Sequence, residues 1–205
     1  MTNKLKVGIA GYGVVGKRRR IFIDQHPMLE TVVVCDRIFS DEGIFDDGVR
    51  YYSDYQSLLK ENLDLLFVCM PNDMAPEVTI AGLDQGLHVF CEKPLALTKE
   101  SAERAIEACN AANIVLGVGH ERRFEPAMVE IRRMVEAGEL GKIMHVEANF
   151  SHDKLANLPA NNWRVSSSES PAAGMTATGI HLTDAYLHIF GPIQEVYAVA
   201  QLIVY

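Results

Sequence analysis

The chain has 205 residues, with 19 Lys and Arg against 27 Asp and Glu and a net charge of -8 at pH 7. That acidity argues against a nucleic-acid binder working through a basic surface. No window approaches the roughly eighteen consecutive apolar residues of a membrane span, and residues 1–6 lack the apolar core of a signal peptide, so the expected compartment is the cytoplasm.

Leu5, Val7, Ile9 and Ala10 make a short apolar run, and Gly11-Tyr12-Gly13-Val14-Val15-Gly16 follows at once, leading into Lys17-Arg18-Arg19-Arg20-Ile21-Phe22-Ile23. The pattern predicts strand, tight turn and helix. In a dinucleotide-binding turn the first glycine permits the bend, the second lets a pyrophosphate approach the backbone, and the third lets the helix pack on the strand, with the helix N-terminus toward the phosphates. The basic cluster at 17–20 reads as a solvated helix face that also helps draw in an anionic cofactor.

A second β-branched run, 31–35, ends at Asp36, about twenty residues past the last glycine, where an acid bonds the adenosine ribose. A carboxylate there favours the free 2′-hydroxyl of NAD and repels the 2′-phosphate of NADP, so NAD is the expected cofactor. Arg37 keeps NADP open, because it could stack on adenine or pair with a phosphate. Cys35, Cys69, Cys91 and Cys109 are widely spaced and read as small buried hydrophobes with reduced thiols, not as a disulfide or zinc framework.

Helical stretches at 55–60, 75–85 (ending at Gly86) and 99–112 alternate with apolar strands at 63–70, 87–91 and 114–118. Such alternation predicts an α/β domain over residues 1–123, a parallel sheet wound with helices. Ligands bind at the carboxyl ends of such strands, where Pro71-Asn72 and Glu92-Lys93-Pro94 fall.

A second domain of different style, residues 124–205, follows. Its expected elements are a helix at 126–137, a strand at 142–150, a polar stretch at 151–171 with the single tryptophan Trp163, a helix at 173–190 and a strand at 193–205. Ser166-Ser167-Ser168 reads as a mobile loop. Two strands and two helices give a thin core, so either partner chains cover the last strand or the chain is part of a longer protein. His145, His152 and His181 are too dispersed to form a recognisable metal motif, and no metal is expected.

The fingerprint at 11–16, the segment His88-Val89-Phe90-Cys91-Glu92-Lys93-Pro94-Leu95-Ala96, the segment Gly119-His120-Glu121-Arg122-Arg123-Phe124, the pair Trp163-Arg164 and Gly179-Ile180-His181-Leu182-Thr183-Asp184 together resemble the Gfo/Idh/MocA oxidoreductases. The resemblance spans essentially the whole chain and is to a C-terminally shortened member. It implies an N-terminal Rossmann domain followed by part of an α+β substrate and oligomerisation domain.

The implied activity is NAD(P)-dependent hydride transfer between nicotinamide and a hydroxyl or carbonyl of a sugar, cyclic polyol or related small molecule. Lys93 would bond the substrate oxygen, with Pro94 holding the preceding peptide in a cis geometry, and His181 would be the general acid/base. Gly11, Tyr12, Gly13, Val14, Val15, Gly16, Asp36, Arg37, Pro71, Asn72, Glu92, Lys93 and Pro94 would hold the cofactor. Arg122, Arg123, Trp163, Arg164 and Asp184 are substrate-side candidates, although Arg122 and Arg123 could equally tie domains together through salt bridges.

The chain departs from the family pattern in having Ala177 where an aspartate commonly stands four residues before the histidine. Altered substrate, support relocated to Asp184 or Thr178, or reduced catalysis would each follow. The alternative reading is therefore a catalytically weakened dinucleotide-binding regulatory protein, or an inactive fragment of such an enzyme. The family's second-domain sheet commonly supplies oligomer contacts, which leaves a homo-oligomer open.

Overall fold

The computed structural model describes residues 4–151, 153, 157–159, 162–166, 168–171 and 174–199. The chain folds as two compact units, Met1–Gly119 and His120–Tyr205. The sequence expectation set the boundary at 123/124.

The first unit is a seven-stranded sheet. Its strands are β1 (Leu5–Ala10), β2 (Leu29–Cys35), β3 (Gly43–Ile44), β4 (Arg50–Tyr52), β5 (Leu65–Val68), β6 (His88–Cys91) and β7 (Leu116–Val118). The order is β3-β4-β2-β1-β5-β6-β7, and only the edge pair β3/β4 is antiparallel. Helices α1 (Val14–Gln25), α2 (Tyr55–Leu58), α3 (Ala75–Asp84) and α4 (Lys99–Ala112) make the connections. The chain leaves β1 toward β2 on one side and later returns to β5 on the other, so the winding reverses between β1 and β5. A dinucleotide crosses an open α/β sheet at such a reversal.

Side-chain alternation explains why both faces are covered. Val7, Ile9 and Val34 join a core cluster with Ile23 of α1, while Val33, Cys35, Leu66 and Val68 face the opposite cluster with Leu58, Val78 and Leu83. Strands buried on both sides must be apolar at nearly every position, which these runs are. The helix limits are local: Asp54 caps α2 by accepting from Ser57 N at 2.7 Å, and Thr98 caps α4 by accepting from Ser101 N at 3.2 Å. Asn113 then ends α4 in the left-handed conformation, φ 53°.

The second unit contains a short 3₁₀ turn (Glu121–Phe124), α5 (Pro126–Glu136), a 3₁₀ turn (Trp163–Val165), a π turn (Met175–Gly179) and α6 (Ile180–Phe190). The expected strand at 142–150 does not form: all nine residues are exposed and none is in a sheet. Residues 193–199 are likewise outside any sheet, and 200–205, the rest of that expected strand, lie outside the described residues. Alternating apolar residues are a side-chain pattern, whereas a strand exists only as a ladder with a neighbour. Among its described residues the second unit offers no such neighbour. The helix expected from 173 begins, among the described residues, with a π turn; Ala173, like Ser167 of the expected loop and His152, lies outside the described residues.

The first unit's core gives a direct check. Leu66→Ala should lower unfolding free energy by about 2–5 kcal/mol in urea titrations. A Cβ added at Gly82 would lie 2.7 Å from Leu66 Cδ2, so Gly82→Ala alone should destabilise, and the double variant should lose less than the two single losses combined.

Candidate functional site

The parallel register sets the geometry of the site. Ala10 is aligned with Cys35 and with Val68, Val68 with Cys91, and Cys91 with Val118. Asp36, Gly11, Cys69, Glu92 and Gly119 therefore form the next row, just past the strands. Backbone bonds continue the ladder into it: Gly11 N to Cys35 O (2.9 Å), Cys69 N to Ala10 O (2.7 Å), Glu92 N to Val68 O (2.9 Å) and Gly119 N to Cys91 O (2.8 Å). Asp36 and Glu92 are three strand spacings apart, roughly 14 Å.

At one end of the row is the glycine turn. Gly11 has φ +90°, and a Cβ there would overlap the Cys69 carbonyl; one at Gly16 would overlap the Gly11 carbonyl oxygen. These two glycines are required by the protein's own packing. Gly13 is different: φ is -75°, ordinary for any residue, and a Cβ there would meet nothing within 4 Å. It caps α1 without a side-chain hydrogen bond, which leaves the N–H groups of the first helical turn, Val14 and Val15 among them, available to a phosphate.

Asp36 is fixed beside this turn. Its Oδ2 accepts from Tyr12 N at 2.8 Å and its Oδ1 from Ile38 N at 3.1 Å. Each carboxylate oxygen has a second acceptor site left. Arg37 is exposed next to it. The residues present thus fit a dinucleotide: an open approach at Gly13, a bare helix N-terminus, and an acid bonded to the backbone of the turn.

At the other end Asn72 is buried, Pro71 O accepts from Met74 N and Ala75 N at the start of α3, and the Lys93–Pro94 peptide is cis. Lys93 is half-buried and Pro94 buried. Burial pushes the neighbouring thiols up, Cys91 to about 11 and Cys35 to about 12, so at neutral pH they are neutral packing groups.

The basic cluster is not simply a solvated face. Arg19 and Arg20 are both half-buried and engaged by carboxylates. Arg20 donates to Tyr12 OH at 2.8 Å and pairs with Asp24 and Asp47. Tyr12, Phe39, Phe45 and Tyr51 form an aromatic cluster with ring centroids 4.7 to 6.3 Å apart. These rings, with Lys17 and Arg20, line an open cleft of about 780 Å³. The closely spaced aromatics Phe39, Phe45 and Tyr51 were its visible signal in the sequence.

In the second unit, His181 and Asp184 are both 8% exposed. Asp184 Oδ2 accepts from Arg123 Nε at 2.8 Å, its Oδ1 pairs with Arg123 Nη2, and His120 Nδ1 lies 3.6 Å from Oδ2. His120 and His181 meet edge to face, centroids 6.2 Å apart. Burial pushes the Asp184 carboxyl up, but the Arg123 hydrogen bond and the His120 charge outweigh it and hold the group below its ordinary value. Thr178 Oγ1 donates to Gly174 O at 2.7 Å. His120 was not singled out in the sequence, because nothing local links it to a carboxylate 64 residues away.

Arg122 lies over the Phe150 ring at 5.2 Å and pairs with Glu125, and Arg164 lies over its neighbour Trp163 at 4.3 Å. Among the described residues no group of three or more His, Cys, Asp or Glu could hold a metal, and no helix is long and apolar enough to cross a membrane.

Residues 5–120 match the family described as "Oxidoreductase family, NAD-binding Rossmann fold", and residues 128–204 match the "GFO/IDH/MocA C-terminal domain". Inositol 2-dehydrogenase of Salmonella typhimurium is 30% identical over 163 residues, covering 76% of this chain and 48% of that protein. D-glucoside 3-dehydrogenase of Escherichia coli is 29% identical over 197 residues, covering 93% of this chain and 55% of that one. Among solved structures, an oxidoreductase domain protein from Kribbella flavida superposes with a TM-score of 0.74 at 29% identity, over 93% of this chain and 53% of its own. The chain spans about half the length of the curated relatives it matches.

Two outcomes are expected from this geometry. Gly13→Thr should leave stability within about 0.5 kcal/mol, since the cap preference is similar and the space is open, yet weaken NADH binding in a fluorescence titration. Asp184→Asn should cost about 1–2 kcal/mol at pH 7, tempered because Arg123 is 38% exposed and water screens the pair. A carboxyl held low stabilises above its unfolded pKa and loses that contribution as pH falls through the folded one. The gap to wild type in urea should therefore be full above about pH 4 and close below it.

Proposed function

The chain belongs to the GFO/IDH/MocA oxidoreductase family, and we propose that it transfers hydride between a nicotinamide dinucleotide and a hydroxyl or carbonyl of a sugar, cyclic polyol or related small molecule. The observation that carries the reading is the open Gly13 beside an Asp36 carboxylate held by two backbone N–H groups. NAD, when bound, supplies or accepts the hydride. This chain's residues then have to bind it, orient the substrate and move one proton.

In this reading Gly11, Gly13 and Gly16 with Val14 and Val15 cradle the pyrophosphate, and Tyr12 and Asp36 take the adenosine ribose. Asp36 favours NAD over NADP, since a 2′-phosphate would meet a carboxylate that two N–H groups keep from turning away. Asn72 and the Glu92-Lys93-Pro94 turn serve the nicotinamide half. Lys93 bonds the substrate oxygen and stabilises a developing alkoxide. His181 exchanges the proton. Arg122, Arg123, Trp163, Arg164 and Asp184 remain substrate-side candidates.

The polyol and sugar class is supported by the names of the relatives, an inositol dehydrogenase and a glucoside dehydrogenase. Ala177, in the π turn that leads into α6, favours a second reading in which the dinucleotide binds and turnover is weak. Four cysteines with no disulfide between them fit a reducing, cytoplasmic setting. A homo-oligomer belongs to the same reading, with exposed Val196, Tyr197 and Val199 as apolar contact surface.

Titration with NADH and NADPH should show NADH bound more tightly, with Asp36→Ala weakening it about tenfold or more and narrowing the preference. Lys93→Ala should keep most NADH affinity and lose turnover of cyclic polyols and glucosides. Binding without any turnover in wild type would select the second reading, and no binding of either nucleotide would sink both.

A further inference from the structure

We propose that Arg19 is a positioning residue that ties the Glu92-Lys93-Pro94 turn to the helix of the glycine turn, and so couples the nicotinamide half of the dinucleotide to its phosphate-binding half. The proposal rests on the NAD-binding reading above.

Arg19 sits in the second turn of α1, six residues past Gly13 on a continuous helix. Its Nε and Nη2 both reach Glu92 Oε1, at 2.6 and 2.5 Å. The side chains are only 23% and 14% exposed, so water screens this charge pair far less than a surface one. The guanidinium also lies over the Phe90 ring at 5.3 Å, and Phe90 in turn is stacked on Phe67 at 4.8 Å. That aromatic floor spans β5 and β6 and supports the arginine on its way from α1.

Glu92 is confined from the other side as well. A Cβ added at Gly119 would come 2.9 Å from Glu92 Oε2 and 3.3 Å from its Cα, so the carboxylate fits between the Arg19 guanidinium and the backbone end of β7. Its own N–H is bonded to Val68 O. Glu92 thus has a fixed carboxylate and a fixed backbone, and Lys93 is the next residue along. With the sheet reversing between β1 and β5, the pyrophosphate belongs at the β1–α1 turn and the nicotinamide half toward the ends of β5 and β6. Arg19 is the side chain that spans those two places.

A bond of this kind could serve stability alone, and the test separates the two roles. ADP carries the adenosine and both phosphates but neither the nicotinamide nor its ribose. Arg19→Met keeps an unbranched stem over Phe90 and removes the charge; Arg19→Lys keeps the charge. Binding of ADP and of NADH is measured for each, with NADH followed by nicotinamide emission and ADP by calorimetry.

Arg19→Met is expected to keep the ADP dissociation constant within about threefold while raising that for NADH about tenfold, a single charge-assisted contact's worth, and Arg19→Lys is expected to recover most of the difference. Parallel weakening of ADP and NADH would make Arg19 a structural prop and overturn the proposal, as would NADH affinity that does not change. Failure of wild type to bind either ligand would remove the NAD-binding reading itself, and the proposal with it. Wild-type binding with a uniform loss in Arg19→Met would remove the proposal alone.

Discussion

All strands except the edge strand β3 run in the same direction, and each therefore delivers its first residue past the ladder to one edge of the sheet. Parallel pairing cannot be made by hairpins; it needs crossovers, here helical except between β2 and β4, and the helices cover the sheet's faces and leave the carboxyl edge open. The residues that define the site, Asp36, Gly11, Glu92 and Gly119, owe their alignment to this. They lie far apart in sequence. Their spacing is a property of the backbone ladder, bonded one residue beyond the strands at Gly11, Cys69, Glu92 and Gly119.

The glycines show how the same residue type meets different demands. Gly11 and Gly16 are forced by the protein's own atoms, one by a positive φ and the Cys69 carbonyl, the other by the Gly11 carbonyl. Gly13 is forced by nothing in the protein. A sequence motif presents all three as equivalent. The structure divides them into two that the protein's own packing requires and one that it does not.

What could be read from the sequence followed from range. The strands and helices of the first unit are short and periodic, α2 and α4 are capped by nearby side chains, and α4 forms over Lys99–Ala112 as its pattern predicts. The two-residue β3 and three-residue β4 are too short to carry a period, so they were not visible. The residues 142–150 carried a period without the partner a strand requires. Arg19 with Glu92, and His120 and Arg123 with Asp184, are pairings across 73, 64 and 61 residues. Charge runs in a sequence give no indication of which members will be paired inside the fold, so the cluster at 17–20 read as a surface feature although half of it is engaged.

The pinning of Asp36 between Tyr12 N–H and Ile38 N–H has a kinetic side. A carboxylate on a free side chain samples several rotamers, and an arriving ligand must wait for, or impose, the correct one. Here that selection is completed when the domain folds, and the two donors come from the backbone, which has no rotamers to lose. Under the proposed function, the adenosine end of a dinucleotide would meet an acceptor already in place, and its capture would be governed by diffusion and orientation, with no local rearrangement in the path.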